Sequence, residues 1–279
     1  MNDDRKPRPR VATKAMIERL YDDAASLYDR TGPGIFARFG ARLVEHLPVS
    51  PGARVLDVAT GNGAVLLPLA RRAGPEGRVT GIDLSATILH EARSAVSAAG
   101  LTNVELRKMD AEHLEFADGA FDIVTCALSL FLMSDIDAAL CEIHRVCKPD
   151  GYVGVSFFDK RPPPFDPGWP ILLQQFMEYQ TGVRMPQPVV HAPQEVEALL
   201  ARAGFHSITA HSEASEIVYP TLDDWWRFQL TVGTRLSIQS MDEETRAKFK
   251  DEYLRRLRPL MSEDGLQVRV AVVYGVARR

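Results

Sequence analysis

A chain of 279 residues, 46% hydrophobic and 25% charged, can bury one substantial core as an enlarged domain or a domain with a cap. Its net charge of −4 argues against a non-specific nucleic-acid binder, and no apolar run approaches the roughly 20 residues of a membrane span. Cys126, Cys141 and Cys147 lack CxxC spacing and read as reduced, buried thiols of a cytoplasmic protein, not as metal ligands.

Residues 1–13 carry charges of both signs around two prolines, lack an apolar signal core, and read as a disordered arm. The cations up to Lys14 could instead touch an acidic partner. Over residues 14–30, Ile17, Leu20, Tyr21, Ala24 and Tyr28 share one helical stripe. Thr31-Gly-Pro-Gly34 breaks that helix, and a second follows over 35–47. From residue 54 strands and helices alternate as βαβ units, which predicts a parallel sheet. Strands are expected over 54–59, 78–83, 103–109, 121–127 and 151–158, with helices over 63–73, 86–99 and 136–147. Ser85 is placed to cap the second of these helices and Gly100 to stop it. Four prolines between Lys160 and Pro167 exclude a central strand or helix interior. A helix over 169–181, a helix over 193–203, a strand over 205–212, a helical stretch over 221–262 and a last strand over 266–277 complete the chain.

Residues 54–63, Arg-Val-Leu-Asp-Val-Ala-Thr-Gly-Asn-Gly, are the most informative stretch. An apolar strand ends in an acid, and a small-residue turn leads directly into a helix. Without side chains, Gly61 and Gly63 let a ligand approach the backbone and the first N–H groups of that helix. About 20 residues later a second strand ends in Asp83, an acid suited to the two hydroxyls of a ribose.

With this order, the chain resembles the class I S-adenosylmethionine-dependent methyltransferases, small-molecule branch, including the ubiquinone and menaquinone biosynthesis methyltransferases. Asp57-Val-Ala-Thr-Gly-Asn-Gly63 fits that family's first motif, with Ala59 standing where a glycine is usual. Asp83 matches its ribose acid, and Met109-Asp110-Ala111-Glu112-His113-Leu114 its adenine loop. Phe121–Leu128 matches the fourth strand, and Glu142–Gly151 the helix and turn before the fifth. The resemblance implies an α/β fold: a doubly wound, seven-stranded Rossmann-like sheet with its last strand antiparallel, plus helical cap insertions. It implies a helical lid over 14–48 and a methyltransferase domain over 49–279, with caps at 160–192 and 213–264. The implied cofactor is S-adenosylmethionine. Tyr21 and Tyr28 would come from the lid. Asp57, Ala59, Thr60, Gly61, Asn62 and Gly63 would hold the methionine portion and Asp83 the ribose hydroxyls, while Leu84 and Met109 would sandwich the adenine. Met109, Asp110, Ala111 and Leu128 would surround the adenine and the methyl end. An aromatic or apolar small-molecule acceptor would lie against Ser129, Phe131, Phe158, Trp169, Phe176 and Trp226. Transfer to carbon, oxygen or nitrogen would rest mainly on positioning, with His191 and His211 as candidate bases and no metal. Two other readings share the turn: a cofactor-binding cyclase or scaffold that does not methylate, and a nicotinamide-dependent oxidoreductase. The latter lacks its G-x-G-x-x-G spacing here. The chain is expected to be a monomer or homodimer without nucleic-acid or membrane partners.

Overall fold

The computed structural model describes residues 10–30, 32–159, 168–186 and 192–279. The main sheet contains β1 (Arg54–Val58), β2 (Arg78–Asp83), β3 (Val104–Lys108), β4 (Phe121–Ala127), β5 (Cys147–Phe158), β6 (His206–Tyr219) and β7 (Gly265–Arg278). They lie in the order β3-β2-β1-β4-β5-β7-β6, with β1 to β5 parallel and β7 antiparallel between β5 and β6. A further pair of residues, Met261–Ser262, pairs with the start of β7. Chain order reverses beside β1, so β1 and β4 flank the switch point where open α/β sheets hold ligands. The expected doubly wound sheet with its antiparallel last strand is therefore present.

Alternating side chains of one strand feed two different cores. Val55 joins the layer containing α2 (Ile35–Glu45) and α3 (Leu66–Ala73), whereas Leu56 joins the layer of α5 (Ile136–Val146) and α7 (Pro193–Arg202). Cap helices α6 (Gly168–Glu178), α8 (Leu222–Gln229), α9 (Thr234–Gln239) and α10 (Glu243–Leu257) add Leu172, Trp225, Ile238 and Phe249 to the first core. α2 lies almost on the glycine turn: a Cβ on Gly40 would fall 2.5 Å from the Ala64 carbonyl oxygen. α4 (Ala86–Ala98) begins with the Ser85 hydroxyl accepting the Ile88 N–H, as expected of its cap.

Several boundaries differ from the sequence reading. The first helix, α1, ends at Ala24, and residues 25–30 form turns. Asp29 explains the redirection: its carboxylate accepts the N–H groups of Phe36 and Ala37 and so caps α2 from outside. The strand expected over 205–212 runs on to Tyr219, because β7 supplies partners along its whole length. The second cap segment thus starts after residue 219, not at 213. The expected disordered arm is ordered from Arg10, which with Val11 pairs in parallel with Val183–Arg184. Residues 1–9, the proline-rich stretch 160–167 and His191 lie outside the described residues.

Candidate functional site

The carboxyl ends of β1, β2, β3 and β4 open on a cleft roofed by α1 (Lys14–Ala24). Of the residues expected at the cofactor, Tyr21, Tyr28, Ala59, Gly61 and Asp83 line it. So do Leu84, Met109, Asp110, Ala111 and Leu128, with Ser129 from the expected acceptor side. Asp57, Thr60, Asn62 and Gly63 do not, and instead build the turn from behind.

Asp57 is 1% exposed. It accepts the Thr60 hydroxyl at 2.6 Å and the Thr125 hydroxyl at 2.7 Å; Thr125 is its neighbour across the β1–β4 pair. Burial pushes its carboxyl up to about 6, against these two hydroxyl donors. The Thr60 N–H is meanwhile tied to the Ile82 carbonyl at 2.8 Å. Asn62 reaches the other way and donates to the Tyr28 carbonyl at 3.2 Å. The turn is therefore fixed from below by β4 and from above by the lid segment.

Asp83 stands inside the cleft, where its two oxygens accept the Gly61 N–H at 2.9 Å and the Ser85 N–H at 3.0 Å. Burial raises it above the usual carboxylate range, and the N–H groups of Ser85, Gly61 and Leu84 oppose that rise. Gly61 has φ +57° and its missing Cβ leaves the Tyr28 ring beside the backbone. The Tyr28 ring stacks on Phe36 at 5.0 Å and meets Tyr21 edge-on at 5.6 Å.

Ala59 and Leu128, at the ends of β1 and β4, both have left-handed backbones, with φ +54° and +50°. An L-residue there costs about 1–2 kcal/mol. The alanine in place of a glycine is thus a local strain, more than a loss of freedom. Ala59→Gly is expected to raise stability by about 1 kcal/mol after the added freedom of the unfolded chain is deducted. Ala59→Val, β-branched in the same backbone, is expected to lower it by more than about 1 kcal/mol. Thermal unfolding of the two variants checks both signs.

Sequence reasoning missed the ties that hold α1 over the cleft. The Lys14 ammonium lies 2.6 Å from Asp110 and 2.8 Å from Glu112. Burial alone would lower it, but the two carboxylates hold it above its ordinary range. Glu112 is itself buried and also accepts the Ser134 and Asp135 N–H groups. Glu18 pairs with Lys108 at 2.6 Å, and Asp22 accepts the Ser85 hydroxyl at 2.5 Å. The last cation of the supposed tail thus finds an acidic partner within its own chain. No local sequence pattern signals a contact across 96 positions.

The acceptor-side residues divide. Phe131 and Phe158 pack on each other at 6.4 Å, and Trp169 packs into the first core. Phe176, stacked on Phe249 at 5.1 Å, and Trp226, beside Phe249 and Tyr253, are interior side chains of the cap. No side chain from 169–180 or 225–236 lines this cleft. His211 stands on edge strand β6 beside His46 and Glu213, outside the residues that line the cleft. Among the described residues no histidine lines the cleft. Cys126 and Cys147 are buried as expected, whereas Cys141 is exposed.

The comparisons with known proteins agree with this geometry. Residues 55–151, which span β1 to the start of β5, match the methyltransferase domain family. The aklanonic acid methyltransferase DauC of Streptomyces sp. (strain C5) is 33% identical over 174 residues, covering 60% of this chain and 79% of its own. The chain belongs to the S-adenosylmethionine-dependent methyltransferases. Nocamycin O-methyltransferase of Saccharothrix syringae is 29% identical over 252 residues, or 85% of this methyltransferase and 89% of its own length. The crystal structure of the [4+2]-cyclase SpnF aligns with TM-score 0.60 and 21% identity over 99% of each chain, which shows the shared fold. Membership sets aside the nicotinamide-dependent alternative. The cofactor of this methyltransferase is S-adenosylmethionine, and the cleft fits it. Asp83 stands in the cleft, the glycine backbone of Gly61 is bare beside that acid, and apolar Ile82, Leu84 and Met109 provide the walls. No helix among the described residues is long and apolar enough to cross a membrane.

Proposed function

We propose that this methyltransferase methylates a carbon, oxygen or nitrogen of an apolar or aromatic small molecule, and that positioning supplies most of its catalysis. S-adenosylmethionine supplies the methyl, on a sulfonium whose charge is lost as transfer proceeds. Asp83 accepts from the ribose hydroxyls and Asp57 attracts the amino group through the turn above it. Asp110 and the Ala111 N–H face the adenine edge, while Leu84 and Met109 cover its faces. Tyr21 and Tyr28 close the roof. The observation that carries the reading is the wall that follows β4: Ala127, Leu128, Ser129, Leu132, Met133 and Ser134 line the cleft there, apolar apart from two hydroxyls. Such a wall excludes water from a reaction that disperses charge, and alignment of the reacting atoms can contribute about 7–11 kcal/mol. The ionised side chains that line the cleft, Lys14, Glu18, Asp83, Asp110 and Glu112, come from α1, the end of β2 and the loop after β3, and Lys14 is paired with Asp110 and Glu112. An acceptor that arrives already nucleophilic suits this distribution. The names of the two relatives, an O-methyltransferase and an aklanonic acid methyltransferase, support a small-molecule acceptor.

The test incubates the protein and S-adenosylmethionine with phenols, activated carbon acids and amines. S-adenosylhomocysteine release and the methylated product are followed by mass spectrometry. Acceptor-dependent release is expected. Tight cofactor binding with no release across the panel would replace this reading with that of a non-methylating cyclase or scaffold.

A further inference from the structure

Outside the cleft, β6 carries His211 and Glu213 two residues apart, so both project from one face of the strand. Opposite them stands His46, the residue that ends α2. The Glu213 Oε1 atom is 3.0 Å from His46 Nε2 and 3.0 Å from His211 Nε2. The two ring nitrogens are 3.3 Å from each other. We propose that these three atoms form a binding site for one borderline transition-metal ion, for which zinc is the probe.

Two ligands at a tetrahedral angle around zinc, with bonds of about 2.0–2.1 Å, lie about 3.4 Å apart. The three atoms are thus within a few tenths of an ångström of one face of a zinc tetrahedron. Between two imidazoles whose Nε2 atoms face each other, only one proton can be shared. A cation in that place satisfies both nitrogens and the carboxylate oxygen together. Two imidazoles and one carboxylate suit zinc and its neighbours and disfavour magnesium, which takes an oxygen shell.

The surroundings fix the ligands. The Arg42 Nε donates to the second Glu213 oxygen, Oε2, at 2.6 Å, the kind of outer partner that orients a ligating carboxylate. The Arg42 Nη2 also approaches Oε1 at 2.8 Å, which leaves that oxygen its other lone pair. Glu45, 2.5 Å from Arg42 Nη1, offsets the guanidinium charge. Tyr274 of β7 lies behind both rings, at 5.2 Å from His46 and 6.1 Å from His211. His211 is the most exposed of the three, with 46% of its side chain open, so the fourth position faces water. An ion here would bind the end of α2 to the sheet edge.

Zinc chloride is titrated by calorimetry into the metal-stripped full-length protein carrying Cys141→Ser, which removes the exposed thiol. One zinc per chain and a raised thermal midpoint are expected, with no saturable magnesium binding. His211→Ala and, separately, Glu213→Gln are expected to weaken zinc at least about tenfold. Glu213→Gln keeps both rings and so stands in should the alanine variant fold poorly. No saturable zinc binding up to about 100 µM, or equal affinity in the parent and both ligand variants, would overturn the proposal.

Discussion

Asp83→Asn is expected to weaken S-adenosylmethionine about 100-fold while leaving the fold intact. The carboxylate is the only acid lining the cleft, among the described residues, that belongs to a strand of the sheet. Hydrogen bonds to an ionised group contribute about 1.5–3 kcal/mol each, and two of them to a ribose correspond to the stated loss. The amide replaces one acceptor with a donor, which then faces either a ribose hydroxyl or the Gly61 N–H. The second outcome would unfasten the turn, since that N–H lies 2.9 Å from the Asp83 oxygen. Calorimetric titration with the cofactor measures the loss, and circular dichroism confirms the fold. The pH dependence gives an independent sign. Burial raises Asp83 above the usual carboxylate range, so acidification protonates it earlier than an exposed aspartate. Parent affinity should therefore fall as pH drops through that raised value, while the amide variant stays flat. An affinity within about threefold of the parent at neutral pH would remove Asp83 from the ribose site.

What could be read from the sequence follows the range of the forces involved. The turn at 59–63, the acid at 83 and the loop at 109–111 depend on backbone conformation and on chemistry within a few residues, so they were legible. So was the sheet, because strands buried on both faces are mostly apolar or small-residue, as β1, β2 and β4 are, and alternate with helices. Strand β6 was only half legible. It lies at the sheet edge, and its tail His-Ser-Glu-Ala-Ser-Glu exposes one row after another without an apolar signature. The aromatic residues of the cap could be read as residue types but not in their packing. Phe176 and Trp226 fill the space under α10, a decision made by helix packing that residue spacing does not encode. Lys14 and the group of His46, His211 and Glu213 were not legible at all. Their partners are separated by 96 and 165 positions, and only the finished fold brings them together.

Asp57→Asn is expected to make the protein more stable and less functional above about pH 6. The folded carboxyl stands at about 6, raised from 3.8 first by burial and then, less strongly, by the nearby Asp83 charge. Between about pH 4 and pH 6 the folded state therefore holds a proton that the unfolded state releases. Stability contributed by this group falls as pH rises through that window and stays low above it. A shift of this size corresponds to roughly 3 kcal/mol, an upper bound because the neighbouring acids titrate with it. The amide never ionises, and the Thr60 and Thr125 hydroxyls can rotate to accept from its NH₂ group. The variant should exceed the parent by about 1–2 kcal/mol at pH 8, with the gap closing toward pH 4. Denaturant unfolding across that range reads it, and parallel curves would show that the Asp57 carboxyl titrates alike in the folded and unfolded states. The functional cost has the same origin. An ionised carboxylate under the turn attracts the cofactor's ammonium group, so cofactor affinity should fall in the more stable variant. A buried acid that opposes folding at neutral pH is retained where its charge has work to do, and here that place is the floor of the glycine turn.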